Sequence, residues 1–295
     1  MNTKKQFYIT ASLVSCLVIA LFVFFNKEET ISLSVKEPSS TKTSAPEGTK
    51  TVNLKNDATL TWIKDNKGTN LLPRSLFSDA SDSLFASLNM PEGIPASIST
   101  FLLKADKEYI LFDAGLGSSG GETLIHLKEL GVSPDSIKKV YLTHMHFDHI
   151  NGLISDIKKK PLHKIFKNAE IFLEKKEHDF WLKENPDNGL QKAVITLYQD
   201  KINLFSFGDT LPHNVIALDA FGHTPGHTAF QIENYLIIGD LIHGYALQIN
   251  HPEINSNYDM NKPKSAECRK RLFKHIEQNN LTMIGMHLPE PGFMK

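Results

Sequence analysis

The stretch Thr143-His144-Met145-His146-Phe147-Asp148-His149 gathers three imidazoles and a carboxylate directly after the apolar run Val140-Tyr141-Leu142. Imidazole nitrogen and carboxylate oxygen are the donors that suit zinc, and also iron, manganese or nickel. Two histidines one residue apart on an extended segment point to the same side, so both can reach one ion. A turn after them would send Asp148 and His149 to a second ion beside the first. The chain holds 13 histidines, so the cluster needs partners before it means more than composition. Gly222-His223-Thr224-Pro225-Gly226-His227 offers two more imidazoles on a tight loop, and Ile237-Ile238-Gly239-Asp240 ends an apolar run in a carboxylate. Leu281-Thr282-Met283-Ile284-Gly285-Met286-His287 ends another in an imidazole. Loops at the ends of such runs are where sheet proteins collect functional side chains. The set is large enough for two near-tetrahedral shells if Asp240 bridges them. Two ions so placed share a hydroxide that exists at neutral pH, and the chemistry they serve is hydrolysis.

This ordered set resembles the metallo-β-lactamase superfamily of metal-dependent hydrolases. The chain carries H-x-H-x-D-H at every fixed position, and the resemblance covers roughly residues 51 to 295. It implies an α/β chain folded as a four-layer αβ/βα sandwich with its metals at one edge. It assigns His144, His146 and His227 to the first metal, Asp148, His149 and His287 to the second, and Asp240 to the bridge. Of the two loop histidines it selects His227 and leaves His223 an orienting or structural role. Asp113, in Leu111-Phe112-Asp113-Ala114-Gly115, matches an aspartate that supports the ligand loop from behind, where such partners fix imidazole orientation. The implied cofactors are two divalent ions, zinc first, with manganese, iron or nickel as alternatives.

Three segments, MPEGIPASISTFLL (90–103), GDLIHGYALQ (239–248) and GMHLPEPGF (285–293), look like the branch containing methyl parathion hydrolase and certain N-acyl homoserine lactone lactonases. A carboxylate at Asp240 departs from the true β-lactamases, which place a cysteine there or lack a bridging carboxylate. The implied activity is cleavage of a small ester-like substrate by a metal-bridging hydroxide, with a lactone first and a phosphotriester second. A mononuclear iron dioxygenase of the same superfamily and a tethered binding protein with a vestigial site are the competing classes. Asp148 and Asp240 are the candidate catalytic carboxylates, Asp148 being placed to assist the leaving alkoxide. His243 and Tyr245 are candidates to hydrogen-bond the substrate at the pocket mouth, and Phe147 to wall it. Relatives usually continue past Pro289-Glu290-Pro291-Gly292, whereas this sequence stops at Lys295, so the expectation is either a poorly supported edge beside His287 or an incomplete sequence.

Around these motifs the pattern is one of short strands. They are predicted at Thr59–Ile63, Ile98–Lys104, Tyr109–Phe112, Lys139–Leu142 and Ala169–Leu173. Further strands are read at Ile202–Phe207, Val215–Leu218, Thr228–Ile232, Tyr235–Ile238 and Leu281–Met286. Helices are read over Glu122–Leu130, which Gly131 closes, in polar segments up to about Asp200, and over Lys264–Gln278. Strands outnumber helices, but helices recur between them, which indicates a layered α/β architecture. Gly115-Leu116-Gly117-Ser118-Ser119-Gly120 matches a dinucleotide-binding turn, after a strand and before a helix. The next strand ends in Thr143-His144 rather than the acidic residue that would hold a ribose. The turn therefore reads as a tight strand-to-helix connection.

The 295 residues are 41% hydrophobic with a net charge of -1, a balance typical of a globular protein and without the basic footprint of a nucleic-acid binder. Lys158-Lys159-Lys160 reads as a solvated face. Phe7 to Phe25 is uncharged and apolar, close to the ~20 residues of a membrane-spanning helix. Lys4 and Lys5 precede it, which keeps that end cytoplasmic and exports the rest. Residues 1–25 are read as a signal anchor or signal peptide, 26–50 as a flexible linker and 51–295 as the hydrolase domain. Leu13-Val14-Ser15-Cys16 resembles a lipoprotein box, the alternative to an uncleaved anchor. Either places the catalytic domain outside the cytoplasm, periplasmic or extracellular. Cys16 and Cys268 are the two cysteines, and with Cys16 in the apolar segment no structural disulfide is expected. The expected partners are a small-molecule substrate, the membrane, and a second copy of the chain as a homodimer.

Overall fold

A computed structural model describes residues 45–183 and 189–295. In chain order it runs β1 (Thr49–Asn53), β2 (Thr59–Lys64), β3 (Asn70–Leu72), α1 (Asp82–Ser87), β4 (Ile94–Ala96), β5 (Ser99–Ala105) and β6 (Glu108–Phe112). There follow α2 (Thr123–Glu129), β7 (Ile137–Tyr141), α3 (Phe147–Ile150), β8 (Glu170–Glu174), α4 (Lys175–Lys183), α5 (Gly189–Tyr198) and β9 (Ile202–Phe205). The second half comprises β10 (Thr210–Leu211), β11 (Val215–Asp219), β12 (Thr228–Ile232), β13 (Tyr235–Ile237), α6 (Tyr245–Gln248), α7 (Lys262–Gln278), β14 (Thr282–Ile284) and β15 (Phe293–Met294).

Seven strands form one sheet in the order β1-β2-β5-β6-β7-β8-β9, and six form another in the order β10 to β15. Aromatic side chains from both sheets meet between them. Phe112, Tyr141 and Phe172 from the first pack with Phe230, Ile237 and Ile284 from the second. The Phe112 and Phe230 rings lie 5.5 Å apart. On the outer face of the first sheet, Leu111, Val140 and Ile171 pack against Leu127, Trp181, Val194 and Tyr198 from α2, α4 and α5. On the outer face of the second, Ala229, Leu236 and Met283 pack against Cys268 and Leu272 of α7. The layers are thus helix, sheet, sheet, helix, the expected sandwich. Strands buried on both faces, such as β5, lose the alternation of a one-sided sheet and read as continuous apolar runs.

The pairs β6–β7, β7–β8 and β13–β14 are parallel. Their carboxyl ends therefore lie at one edge, where open α/β sheets collect their ligands. Asp113 follows β6, the histidine motif follows β7, Asp240 follows β13 and His287 follows β14.

The structure corrects some sequence expectations. β1 begins inside the stretch read as linker and pairs with β2, Thr49 opposite Ile63. The ribbon β3–β4 and helix α1 occupy a region where no element was read. Leu76, Phe77, Phe85 and Ile94 there form a small core with Leu247 and Ile254. The edge beside His287 is supported: β15 returns antiparallel to β14, pairing Met294 with Met283 and Phe293 with Ile284. The Gly115–Gly121 turn wraps a carboxylate of the chain itself. Asp65 accepts hydrogen bonds from Leu116 N at 2.6 Å, Thr123 N at 2.8 Å and Thr123 Oγ1 at 2.5 Å. A Cβ at Gly115 would collide with that carboxylate, so the glycines serve Asp65 and leave no cradle for a pyrophosphate. The segment read as an anchor, Cys16 included, lies outside the described residues. Among the described residues no helix is long and apolar enough to cross a membrane.

Candidate metal centre

His144 and His146 leave β7 on an extended segment, and α3 then turns Asp148 and His149 away from them. The loop before β12 brings His223, and the ends of β13 and β14 bring Asp240 and His287. Among the described residues, two groups with donor atoms within 4.8 Å of one another lie side by side: His144, His146, His223 and Asp240, and Asp148, His149 and His287; His243 forms further such groups with Asp240 and His287 and with His223 and Asp259. Asp240 faces both of the side-by-side groups. Its Oδ1 lies 3.1 Å from His149 Nε2 and 3.3 Å from His287 Nε2. Its Oδ2 lies 3.2 Å from His223 Nε2 and 3.6 Å from His144 Nε2. One carboxylate oxygen per group is the arrangement of a bridge.

The backs of the His149, His287 and His223 rings are tied down, which fixes which nitrogen of each faces the centre. His149 Nδ1 donates to Asp113 Oδ2 at 2.7 Å, and Asp113 also accepts from Thr143 N at 2.8 Å. His287 Nδ1 donates to the Ser97 carbonyl at 2.9 Å. His223 Nδ1 donates to Asp259 Oδ1 at 3.0 Å, and Asp259 is in turn bound by the buried guanidinium of Arg269 at 3.3 Å. Such partners orient imidazoles toward a metal and raise their basicity.

His223 and His227 exchange the places expected of them. Asp240 N donates to His227 Nε2 at 3.0 Å, and His227 Nδ1 donates to the Ala220 carbonyl at 2.9 Å. Both nitrogens are used, so His227 has no lone pair left for an ion. Its ring lies against Gly239, whose φ of 53° and missing Cβ allow the approach. His227 holds the backbone at Asp240, and His223 stands in the ligand position.

The donor set fits divalent ions. His144 Nε2, His149 Nε2 and Asp240 Oδ1 are buried without a hydrogen-bond partner among the described residues. His223 Nε2 and His146 Nδ1 lie 2.8 Å apart, a separation that two lone pairs tolerate only around a proton or a cation. Burial lowers His144, His146 and His227, and neighbouring imidazoles add to it, bringing His146 and His227 down to about 3. Burial also opposes charge on His223 and His287, but Asp240 outweighs it with Asp259 and Asp148 respectively, raising them to about 9 and about 10. Burial opposes ionisation of Asp240 as well, yet His149 and His287 hold its carboxyl well below the usual range. Buried carboxylates so placed demand positive charge, and divalent ions supply it while displacing protons from the imidazoles.

Residues 93–287 match the model of the metallo-β-lactamase superfamily. The chain belongs to that superfamily. This metallo-hydrolase is similar to a probable metallo-hydrolase of Bacillus subtilis (strain 168), YqgX, with 26% identity over 160 residues, 52% of this chain and 69% of the relative. Among solved structures it resembles AbOPH, a hydrolase in the beta lactamase superfamily, with a TM-score of 0.73 and 28% identity over 83% of this chain and 92% of that one. It also resembles AidC, a dizinc quorum-quenching lactonase solved with a product homoserine, with a TM-score of 0.72, 27% identity and the same coverage.

In the metallo-hydrolase a cavity of about 550 Å³ opens over the centre, lined by His146, Asp148, Asp240, His243 and His287 and walled by Leu72, Ile98, Phe147, Trp181 and Tyr258. Phe147 stands where the sequence reading put it. His243 does too, with its Nε2 3.1 Å from Asp240 Oδ2 and its ring stacked on His287 at 5.2 Å. Tyr245 does not. It faces the opposite side of its short helix and packs with Ile249, Phe273 and Ile276 beside α7. His243 lies in the bend before the helix and Tyr245 is its first residue, so the two side chains diverge, which the reading of a shared mouth overlooked.

Two buried carboxylates behind the histidine loops, Asp259 and Glu177, escaped the sequence reading. Asp259 carries no local motif. Glu177, in α4, accepts from Met145 N at 2.9 Å, Trp181 Nε1 at 2.6 Å and Gly226 N at 2.9 Å. It therefore ties the 144–149 motif to the 222–227 loop. Burial raises its pKa, and the donors around it pull the other way. Glu177→Gln puts an amide NH2 where donors already point. It is expected to weaken metal binding by about 10- to 100-fold, measured by competition with a chromophoric chelator. Unchanged affinity would remove the positioning role.

Proposed function

We propose that this metallo-hydrolase opens a neutral lactone at a dinuclear centre. The observation that carries the reading is the convergence of two donor groups on Asp240 at the floor of a largely apolar cavity. Among the described residues no lysine or arginine lines that cavity, which favours an uncharged substrate over a nucleic acid or phosphodiester. Similarity to a lactonase with a homoserine product, at 27% identity, supports the lactone within that class. The second donor group speaks for two ions and against a single iron.

Ions held by His144, His146, His223 and Asp240 on one side, and by Asp148, His149, His287 and Asp240 on the other, would supply an ionised water at neutral pH and polarise the substrate carbonyl. The chain's own residues do the rest. Phe147, Trp181 and Ile98 exclude water and hold the apolar part of the substrate. His243, with Nε2 3.1 Å from Asp240 Oδ2 and Nδ1 buried without a partner among the described residues, is the candidate hydrogen-bonding group beside the bridge. Asp148 lines the cavity and is the most exposed carboxylate of the cluster, so as an ionised carboxylate it can take the proton that the attacking water gives up and pass it to the leaving oxygen. In this reading the apolar segment at 7–25 exports the domain and holds it at a membrane surface.

The test is acid release when the purified chain, loaded with zinc or manganese, meets an N-acyl homoserine lactone. Release is expected, and it should vanish in His144→Ala. Turnover of a phosphotriester but no lactone would replace the substrate class. A single bound iron with oxygen consumption would replace the reaction.

A further inference from the structure

We infer that Gln191 is a specificity-determining residue whose amide oxygen recognises a hydrogen-bond donor, an amide N–H or a hydroxyl, on a neutral substrate. Gln191 sits in the first turn of α5, is 4% exposed, and lines the cavity beside His146 and Trp181. Its Nε2 donates to the Met145 carbonyl at 2.7 Å. A backbone carbonyl only accepts, so the orientation of the amide is fixed and Oε1 is the atom left over. Oε1 is buried and has no partner among the described residues. Folded proteins rarely leave a buried amide oxygen open, and one at a cavity wall offers a place for a ligand's donor. Leu72, Ile98, Phe147 and Trp181 make the outer walls apolar, and among the described residues no lysine or arginine lines the cavity, so the donor belongs to an uncharged molecule with an apolar body. Met145 lies between His144 and His146, which puts the recognised group next to the reacting centre.

The inference rests on the proposed reading only in using the same cavity, and its test does not require turnover. Three probes are compared: N-butylhexanamide, its N-methyl derivative, and the ketone in which a methylene replaces the N–H. Binding is followed by calorimetry and by quenching of Trp181, which lines the cavity, whereas Trp62 lies in the core between the sheets. The secondary amide should bind about tenfold more tightly than the ketone or the N-methyl amide. In Gln191→Met that ratio should fall to about one, while Gln191→Glu, which keeps an acceptor, should retain a preference for the amide. Loss of the Met145 contact alone would weaken all three probes alike and leave the ratio standing, which overturns the proposal. Equal affinities in the unaltered protein, or no binding by any probe, overturn it as well. An intact ratio in a protein that opens no lactone would remove the lactone reading and uphold the subsite.

Discussion

Asp240→Ala is expected to cost the protein both ions and to lower hydrolysis by at least about a thousandfold, since the several kcal/mol that metals contribute to the barrier would go with them. The Asp240 carboxylate offers one oxygen to each group. Its two oxygens face His149 and His287 on one side and His223 and His144 on the other. Removing it also leaves three imidazoles that it favours in charged form without their main counter-charge. Metal content by mass spectrometry and circular dichroism should separate loss of ions from loss of fold. A folded Asp240→Ala protein that keeps two ions and its activity would sink the bridge.

His223→Ala and His227→Ala should part company. With His223 removed, the first group loses a ring nitrogen 2.8 Å from His146 Nδ1, and Asp259 loses its imidazole hydrogen bond while keeping Arg269 and the Ser256 amide. Metal should fall, and hydrolysis by about a hundredfold or more. With His227 removed, the donor set stays whole. The Asp240 N–H and the Ala220 carbonyl lose their partners in a buried site, at about 1–3 kcal/mol each. The larger effect there should be on unfolding in denaturant, with metal stoichiometry preserved. The reverse pattern would restore His227 to the ligand role that the sequence resemblance gave it.

Much of this was legible in the sequence because the chemistry is local. H-x-H-x-D-H needs only an extended segment followed by a turn, and the strand-ending Asp240 and His287 announce themselves by following apolar runs. The sandwich could be read from short apolar strands alternating with helices, and β12 lies where its pattern put it, at Thr228–Ile232. β1 was missed because it is an edge strand with few buried positions, so no apolar alternation marks it. The elements between 70 and 96 were missed because they are short and their burial is against α6 and the loop after it, far along the chain.

What the sequence determined by itself was the donor inventory, the layered architecture and the family. The tertiary structure decided which of two neighbouring histidines faces the centre. His223 and His227 have the same chemistry and lie on one loop. Only their hydrogen bonds separate them, one ring backed by Asp259 and the other spent on the Asp240 and Ala220 backbone. It likewise turned Tyr245 away from the cavity, brought Gln191 to its wall, and set Glu177 and Asp259 behind the histidine loops. Asp259 meets His223 across 36 residues, Glu177 meets Met145 across 32 and Gln191 meets Met145 across 46, and no spacing in the chain encodes such a meeting.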